Sequence, residues 1–477
     1  MSTPTHFKVS GTKILDPMGK EFLLKGTNVN GPGWVFQRDT LQDLELIVDV
    51  WKFNSVRVCA TIGWEWCREA NMDLDALVEA FTSRGIVFML EIHDYTGSYP
   101  PLDEKGHRDP GSEAKYVYPL STLAEWWVDI ANRYKDNPYV WFNIMNEPGS
   151  TYDQQSFNLW SLTHETVIEA IRATGAENII VLDDHGWGQA GGYYDGASSY
   201  DSAIIAEGPK LQQKYDNLVF SLHVYEAWRD GYNRFNNYFR DAHRRGLCVI
   251  LGEYGAMPGN PAFLNPVKSM FDSALENNIG RMSWAWDSAG MPMTTEGCGW
   301  AVDKTDGTKP GNLSWLGELI WMDNHGQLTS PVPNYPANPL SFHINFDDAP
   351  STSWMHNTPK IQKGASRDGS NAMVVEKEWG GHCSLDLLPA TQYQLSAWGR
   401  NANATDKASV IILRYKTAAD SKKAESVKLE FTDTEWTRNV ASFTTPEHVY
   451  GPTLNIVKPD ADNIFYLDDI WVCSPTK

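Results

Sequence analysis

Apolar residues over the first 330 positions of the chain come in short blocks separated by longer mixed stretches. In Val140 to Ile144, four of five side chains are apolar, which suits a strand covered on both faces, and the polar pair Asn146-Glu147 follows where such a strand would emerge. Comparable runs fall at Phe22–Leu24, Ser55–Cys59, Ile86–Ile92, Ile179–Leu182, Leu218–Leu222, Val249–Leu251 and Arg281–Trp286, making eight. The stretches Leu41–Trp51, Leu74–Ser83, Leu120–Tyr134, Phe157–Ala173, Tyr232–Arg245 and Pro266–Asn277 carry apolar residues at three- and four-residue spacing and predict helices. Asn312–Met322 is the expected last helix, and Phe7 to Gly19 reads as a small hairpin ahead of the repeat.

Alternation of this kind predicts a parallel sheet, and eight strands predict closure into a (β/α)₈ TIM barrel over residues 1–328. The competing arrangement is an open, doubly wound sheet, which would gather its polar residues at one switch point. Here polar or aromatic residues follow nearly every run, at Thr27-Asn28, Arg57, His93-Asp94, Asn146-Glu147, Asp183-Asp184, His223 with Tyr225, Glu253, and Trp284 with Trp286. That distribution favours a ring.

After Ser330 the text changes to Pro-Val-Pro-Asn-Tyr-Pro-Ala-Asn-Pro, four prolines in nine residues, so residues 329–340 read as an extended linker. Beyond it, Gln392–Trp398, Ser409–Tyr415, Ser426–Phe431 and Phe465–Val472 alternate with period two between turn residues. Residues 341–477 are expected to form an all-β jelly-roll sandwich.

Composition narrows the partners. With 60 acidic against 40 basic residues, the formal charge of −20 argues against nucleic acid and anionic membranes and suits a neutral substrate. No apolar run of about 18 residues exists to span a bilayer, and the start Met-Ser-Thr-Pro-Thr-His has no secretory signal character, so a secreted, cell-surface or periplasmic location requires a signal absent from this sequence. The chain is expected to be a monomer. Twenty tryptophans exceed what packing asks for and suggest stacking surfaces. Six cysteines, at 59, 67, 248, 298, 383 and 473, have no zinc-like spacing and read as thiols, with Cys59 and Cys67 the one pair near enough in sequence for a short disulfide.

The chemistry rests on two carboxylates. Cleavage of a glycosidic bond needs two carboxyl groups flanking it, about 5–5.5 Å apart in retaining enzymes, and Glu147 and Glu253 end the fourth and seventh expected strands, where they can meet across the barrel mouth. Arg57 and Tyr225 are placed to hold Glu253 ionised as a nucleophile, leaving Glu147 as acid/base. Asn146 can bond a sugar 2-hydroxyl or cap its strand, and His93 and His223 are candidate substrate contacts. Trp284 and Trp286, two apart, are expected on one side of a strand, with Trp284 as the stacking platform. Trp34, Trp64, Trp66, Trp187 and Trp228 are further candidates for subsites or for packing.

The segments Lys25-Gly26-Thr27-Asn28, Leu90-Glu91-Ile92-His93-Asp94, Asn146-Glu147-Pro148, His223-Val224-Tyr225 and Gly252-Glu253-Tyr254-Gly255 together resemble glycoside hydrolase family 5 over most of residues 7–325. The resemblance implies a retaining (β/α)₈ enzyme needing no cofactor or catalytic metal, with acid/base Glu147, nucleophile Glu253 and active-site roles for Arg57, His93, Asn146, His223, Tyr225 and Trp284. Within the family, Phe7 to Asp16, His93 to Ser98 and Gly186 to Gln189 are most similar to bacterial β-1,4-mannanases. Pro148 departs from them, since they usually carry tryptophan after the acid/base and cellulases carry proline. Mannan or glucomannan is therefore the expected substrate, with an endo-glucanase or xylanase as the alternative.

The last third resembles a β-jelly-roll carbohydrate-binding module through Asn345-Phe346-Asp347-Asp348, Tyr393 to Trp398 and Phe465 to Ile470. Its acidic pairs can share a structural Ca²⁺ or serve as solvated turns, and Trp379, Trp398 and Trp436 are candidate sugar platforms. Two other motifs fail. The residues after Gly186-Trp187-Gly188-Gln189-Ala190-Gly191 cannot open the helix of a dinucleotide site, and Ile168 stands where the second histidine of a His164-Glu165 zinc motif belongs. Rival readings are a catalytically silent polysaccharide-binding barrel and a metal-dependent barrel enzyme, and the second lacks a recognisable ligand set.

Overall fold

The computed structural model of the chain describes residues 6–33, 38–62, 72–102, 118–150, 154–193, 202–228, 231–257, 261–288, 290–333, 340–344, 346, 360–376, 379–385, 387–417, 423–458, 460 and 462–474. The chain divides into two compact units, one reaching Pro333 and the other beginning at residue 334.

In the first unit an antiparallel hairpin, β1 (Lys8–Ser10) and β2 (Lys13–Leu15), precedes eight parallel strands. These are β3 (Lys25–Asn30), β4 (Ser55–Ala60), β5 (Val87–Ile92), β6 (Val140–Asn143), β7 (Ile180–Asp183), β8 (Leu218–Val224), β9 (Val249–Tyr254) and β10 (Gly280–Ser283). β10 pairs with β3, Arg281 opposite Lys25, so the sheet closes as the expected barrel. Among the described residues, seven helices flank the strands: α1 (Leu74–Thr82), α2 (Leu120–Tyr134), α3 (Gln154–Ala173), α4 (Ala203–Lys214), α5 (Tyr232–Arg244), α6 (Pro261–Asn277) and α7 (Trp315–Asn324). The hairpin stoppers the amino end of the barrel. Phe7 sets its ring edge-on to Phe22, Tyr139 and Trp141, with centroids 5.1, 5.3 and 5.3 Å away, in one buried cluster with Leu24, Val87, Met89, Val181, Val219 and Met282.

Four elements differ from the expectation, each for a local reason. The first barrel strand is not Phe22–Leu24 but Lys25–Asn30, because its buried polar residues are satisfied inside the barrel: Asn28 Nδ2 donates to the carbonyls of Gly252 (2.9 Å) and Ser283 (3.0 Å). Hydropathy cannot reveal such a strand. Leu41–Trp51 is not one α-helix but a 3₁₀ turn, Thr40–Asp43, followed by a wide π turn, Leu46–Val50. That turn seats Trp51, whose indole donates to Gly299 O and packs against Trp286 and Trp321. Helix α4 has no counterpart among the expected helices, since Gly208 and Pro209 interrupt its pattern, yet Ser202 caps it and Gly208 lets Phe220 pack close.

The fourth difference concerns the tryptophans after β10. The strand stops at Ser283, the Trp284–Ala285 peptide is cis, and the two rings part rather than share a side. Trp286 is buried, its Nε1 donating to Asp43 Oδ2 at 2.9 Å, whereas Trp284 faces the carboxyl-end cleft.

The second unit contains two antiparallel sheets. One joins β11 (Leu340–Ile344), β12 (Lys360–Gln362), β13 (Ala372–Val375), β15 (Gln392–Asn401), β18 (Thr437–Thr444) and β20 (Phe465–Cys473), and the other joins β14 (Trp379–Ser384), β16 (Ser409–Lys416), β17 (Glu425–Phe431) and β19 (Tyr450–Val457). Alternate residues from both, including Tyr393, Leu395, Ile411, Leu413, Leu429, Leu454, Ile456, Leu467 and Ile470, form one apolar core. Arg367 lies over the Trp398 ring at 4.5 Å, and Arg400 lies between Trp436 (5.6 Å) and Tyr466 (4.2 Å), so these aromatic faces already carry guanidinium groups. Asp468 accepts from Ser366 Oγ and Asp469 from Trp471 Nε1. Asn345, Asp347, Asp348 and the Trp379 side chain lie outside the described residues, as do Trp34, Trp64, Trp66 and Cys67.

Candidate active site

Arg57, on β4 and fully buried, is the hub of the barrel's carboxyl end. A guanidinium has five N–H donors, and all five find acceptors on other strands or strand ends. Nε donates to Asn143 Oδ1 (2.7 Å), Nη1 to Asn28 Oδ1 (2.9 Å) and Glu253 Oε1 (2.7 Å), and Nη2 to Asn146 Oδ1 (2.7 Å) and Asp183 Oδ2 (3.0 Å). Burial opposes this charge, but Asp183, Glu91 and Glu253 outweigh it and keep Arg57 protonated.

Glu253 lies within β9. It takes Arg57 on one oxygen and the Tyr225 hydroxyl on the other at 2.8 Å. Glu147 lies beyond the end of β6 with φ +43°, in a backbone bend held from both sides: its N–H reaches Asp183 Oδ2 at 3.3 Å, and its carbonyl accepts from Gly97 N at 2.8 Å. The carboxyl end of Glu147 meets His223 Nδ1 at 2.7 Å, and the same nitrogen is 3.4 Å from Glu253 Oε2. Carboxylate oxygens of Glu147 and Glu253 and a His223 ring nitrogen all lie within 4.8 Å of one another. Burial, and then the Glu253 charge, push the Glu147 carboxyl up to about 7 against the lowering influence of His223. Below that pH it carries a proton it can give to a leaving oxygen.

A cleft of about 390 Å³ opens above this pair, lined among others by His93, Asn146, Trp187, Tyr225, Phe263 and Trp284. Trp284 stacks on His93, centroids 5.5 Å apart at 21°, and His93 Nδ1 is fixed on Glu91 Oε1 at 2.8 Å. Asn146 Nδ2 donates to Thr96 Oγ1 (2.8 Å) and faces His93 Nε2 at a longer 3.3 Å, at the edge of the cleft. Trp187 forms a wall because Gly97 leaves room for it; a Cβ there would come within 2.6 Å of the indole. At Gly188 (φ +66°) a Cβ would stand 2.7 Å from the His223 ring, so glycine is what lets that ring sit under the pair. Trp228 belongs to packing instead, stacked on Phe235 at 4.4 Å and donating to His223 O.

The structure brings Arg57, His93, Asn146, Glu147, His223, Tyr225, Glu253 and Trp284 into this one region. It adds Asn28, Glu91, Asn143 and Asp183 beneath them. Asn143 and Glu91 left a trace in the sequence, as polar residues within otherwise apolar strand runs.

A parallel barrel with two carboxyl groups on either side of a buried histidine nitrogen, at the foot of a cleft with aromatic walls, defines a glycoside hydrolase of the (β/α)₈ type. Residues 15–290 match the cellulase family model (glycosyl hydrolase family 5), and the chain belongs to that family. A mannan endo-1,4-beta-mannosidase of Cellvibrio japonicus is 25% identical over 327 residues, 68% of this chain and 68% of that protein. Endoglucanase A of Butyrivibrio fibrisolvens is 22% identical over 339 residues, 68% of this chain and 70% of that one. Among solved structures, the beta-mannanase from Streptomyces thermolilacinus superposes with a TM-score of 0.53 at 22% identity, covering 69% of this chain and 98% of that chain, a likeness of fold.

Proposed function

We propose that the chain is an endo-acting, retaining glycoside hydrolase that cleaves β-1,4-linked mannan or glucomannan. The observation that carries this reading is the Glu147–His223–Glu253 cluster, in which an oxygen of each carboxyl and a ring nitrogen lie within 4.8 Å of one another, compatible with the short carboxyl separation of about 5–5.5 Å that double displacement uses. Protonated Glu147 gives its proton to the glycosidic oxygen while a Glu253 oxygen attacks the anomeric carbon, forming a glycosyl ester and releasing the leaving sugar. Water then attacks the same carbon, its proton passes to Glu147, and Glu253 leaves as carboxylate. Asn146 and His93 bind sugar hydroxyls and Trp284 stacks on a pyranose face. Arg57 and Tyr225 hold Glu253 in place.

The mannan assignment draws on the mannosidase relative and the sequence likeness noted above, and the endoglucanase relative together with Pro148 supports a β-1,4-glucanase as the second reading. The β-sheet unit is read as a carbohydrate-binding module, on its two antiparallel sheets packed about one apolar core and the sequence likeness noted above. No described helix is long and apolar enough to cross a membrane, and a polymeric substrate supports the reading that the enzyme works outside the cell.

Hydrolysis of mannan, glucomannan, cellulose and xylan, with product lengths followed over time and the anomer of fresh product read by proton NMR, tests this. Internal cuts in mannan with retained configuration are expected. Inverted product would overturn the mechanism, and cellulose as the best substrate would transfer the assignment to the second reading. A further expectation concerns pH: Glu147 must be protonated in the first step, so kcat/KM should fall as pH rises through about 7. Glu147→Gln should lose that limb, and stopped assays on a soluble substrate across pH would show it.

A further inference from the structure

Asp183, at the end of β7, is fully buried and does not line the cleft, yet it contacts the partners of both glutamates. Its Oδ2 takes Arg57 Nη2, which belongs to the guanidinium holding Glu253, and lies 3.2 Å from Nε2 of His223, the ring that meets Glu147. The same oxygen accepts the Glu147 N–H at 3.3 Å, and Oδ1 accepts Asn143 Nδ2 at 3.0 Å. Trp160 of α3 pins the Asp183 carbonyl at 2.8 Å. The Nε2 contact is at ion-pair distance, where the attraction of a charged ring does not depend on direction.

We infer that Asp183 is a positioning residue that keeps His223 as an imidazolium, protonated on both ring nitrogens, and through it sets when Glu147 gives up and takes back its proton. This rests on the acid/base reading of Glu147. The argument is one of proton placement. A neutral imidazole carries a single N–H. With that proton on Nδ1, toward Glu147 and Glu253, a bare, electron-rich Nε2 would stand 3.2 Å from the Asp183 carboxylate. With it on Nε2, the lone pair would face an ionised Glu147 at 2.7 Å. Only the doubly protonated ring suits all three carboxylates once Glu147 has released its proton.

The surroundings agree. Against the ring stand Asp183 from β7, Glu147 after β6 and Glu253 from β9; Arg57 from β4 and His93 after β5 are the nearby cationic or titratable groups, with Glu91 behind His93 and Tyr225 on Glu253. His164 of α3, near Asp183, is held neutral by burial, which pushes it down to about 4. Burial opposes charge on His223 as well, but Glu253, Asp183 and Glu147 outweigh it and push the ring up to about 10. A standing cation next to Glu147 eases its ionisation after the first step and leaves it ready as a base for water.

The test is nitrogen-15 NMR of histidine-labelled enzyme across neutral pH, with kcat/KM and kcat profiles, for wild type, Asp183→Asn and Asp183→Glu. In the wild type both His223 nitrogens are expected at protonated shifts through neutral pH. In Asp183→Asn one nitrogen should show a lone pair, and the alkaline limb of kcat/KM should move up by about one pH unit as Glu147 loses its cationic neighbour. kcat and KM should fall together, because the water step that uses Glu147 as base slows. Asp183→Glu should recover part of each. A neutral His223 in the wild type, accepting a hydrogen bond from protonated Glu147, would overturn the inference, and that measurement stands even if the variants do not fold. An unmoved alkaline limb in folded Asp183→Asn would overturn it too. Should Glu147→Gln keep the limb, the acid/base assignment fails instead.

Discussion

Glu253→Gln is expected to lower kcat on any β-linked substrate by roughly four to six orders of magnitude, the scale seen when a covalent nucleophile is removed. The amide keeps nearly the volume of the carboxyl, and its oxygen can still accept from Arg57 while its NH2 donates to a Tyr225 hydroxyl turned to accept, but it cannot form the glycosyl ester. Arg57 retains Asp183 as counter-ion, so the melting curve by circular dichroism should move by only a few degrees. The companion Glu253→Ala opens space beside the anomeric carbon. Added azide should then restore turnover and yield a glycosyl azide of inverted configuration, while turnover without azide in either variant would remove Glu253 from the mechanism.

Arg57→Met is expected to act on the fold as strongly as on the chemistry. It strands Asp183 and Glu253, both buried, without their shared cation, and removing one member of a buried ion pair costs about 3–5 kcal/mol. It also leaves Asn28, Asn143 and Asn146 each without a donor. Thermal or urea unfolding should show the loss, and soluble protein should have no measurable turnover. Arg57→Lys should recover little of either, because an ammonium has three donors on a flexible stem and cannot reach five acceptors spread around the barrel. A stable Arg57→Met protein would show that the network does not bear on folding.

Much of this was legible in the sequence because most barrel strands are buried on both faces and read as continuous apolar runs, from Ser55 round to Arg281. The two glutamates were legible for the same reason: each breaks off an apolar run at a strand's carboxyl end. What could not be read is what polar side chains do inside. Lys25–Asn30 is a strand whose inward residues serve the site, so its hydropathy pointed to Phe22–Leu24 instead. Asp183 was visible as a strand-end acid, but its contacts with Arg57, His223 and Glu147 come from three other strands or strand ends, and no local pattern encodes them. Trp284 and Trp286 misled the period-two rule because β10 ends at Ser283, before either of them.

The five acceptors gathered by Arg57 also set an order of events during synthesis. Asn28 precedes it on the ribosome, whereas Glu253 follows it by 196 residues. At roughly 5–20 residues per second, about 10–40 seconds pass between translation of the guanidinium and of its last partner. Throughout that interval a nascent chain cannot enclose Arg57 in its final surroundings, since β9 and β10 are still missing and the ring is open. Catalytic assembly and completion of the barrel therefore coincide, and a polypeptide stopped short of Glu253 would present an unfinished, charged interior to cellular quality control.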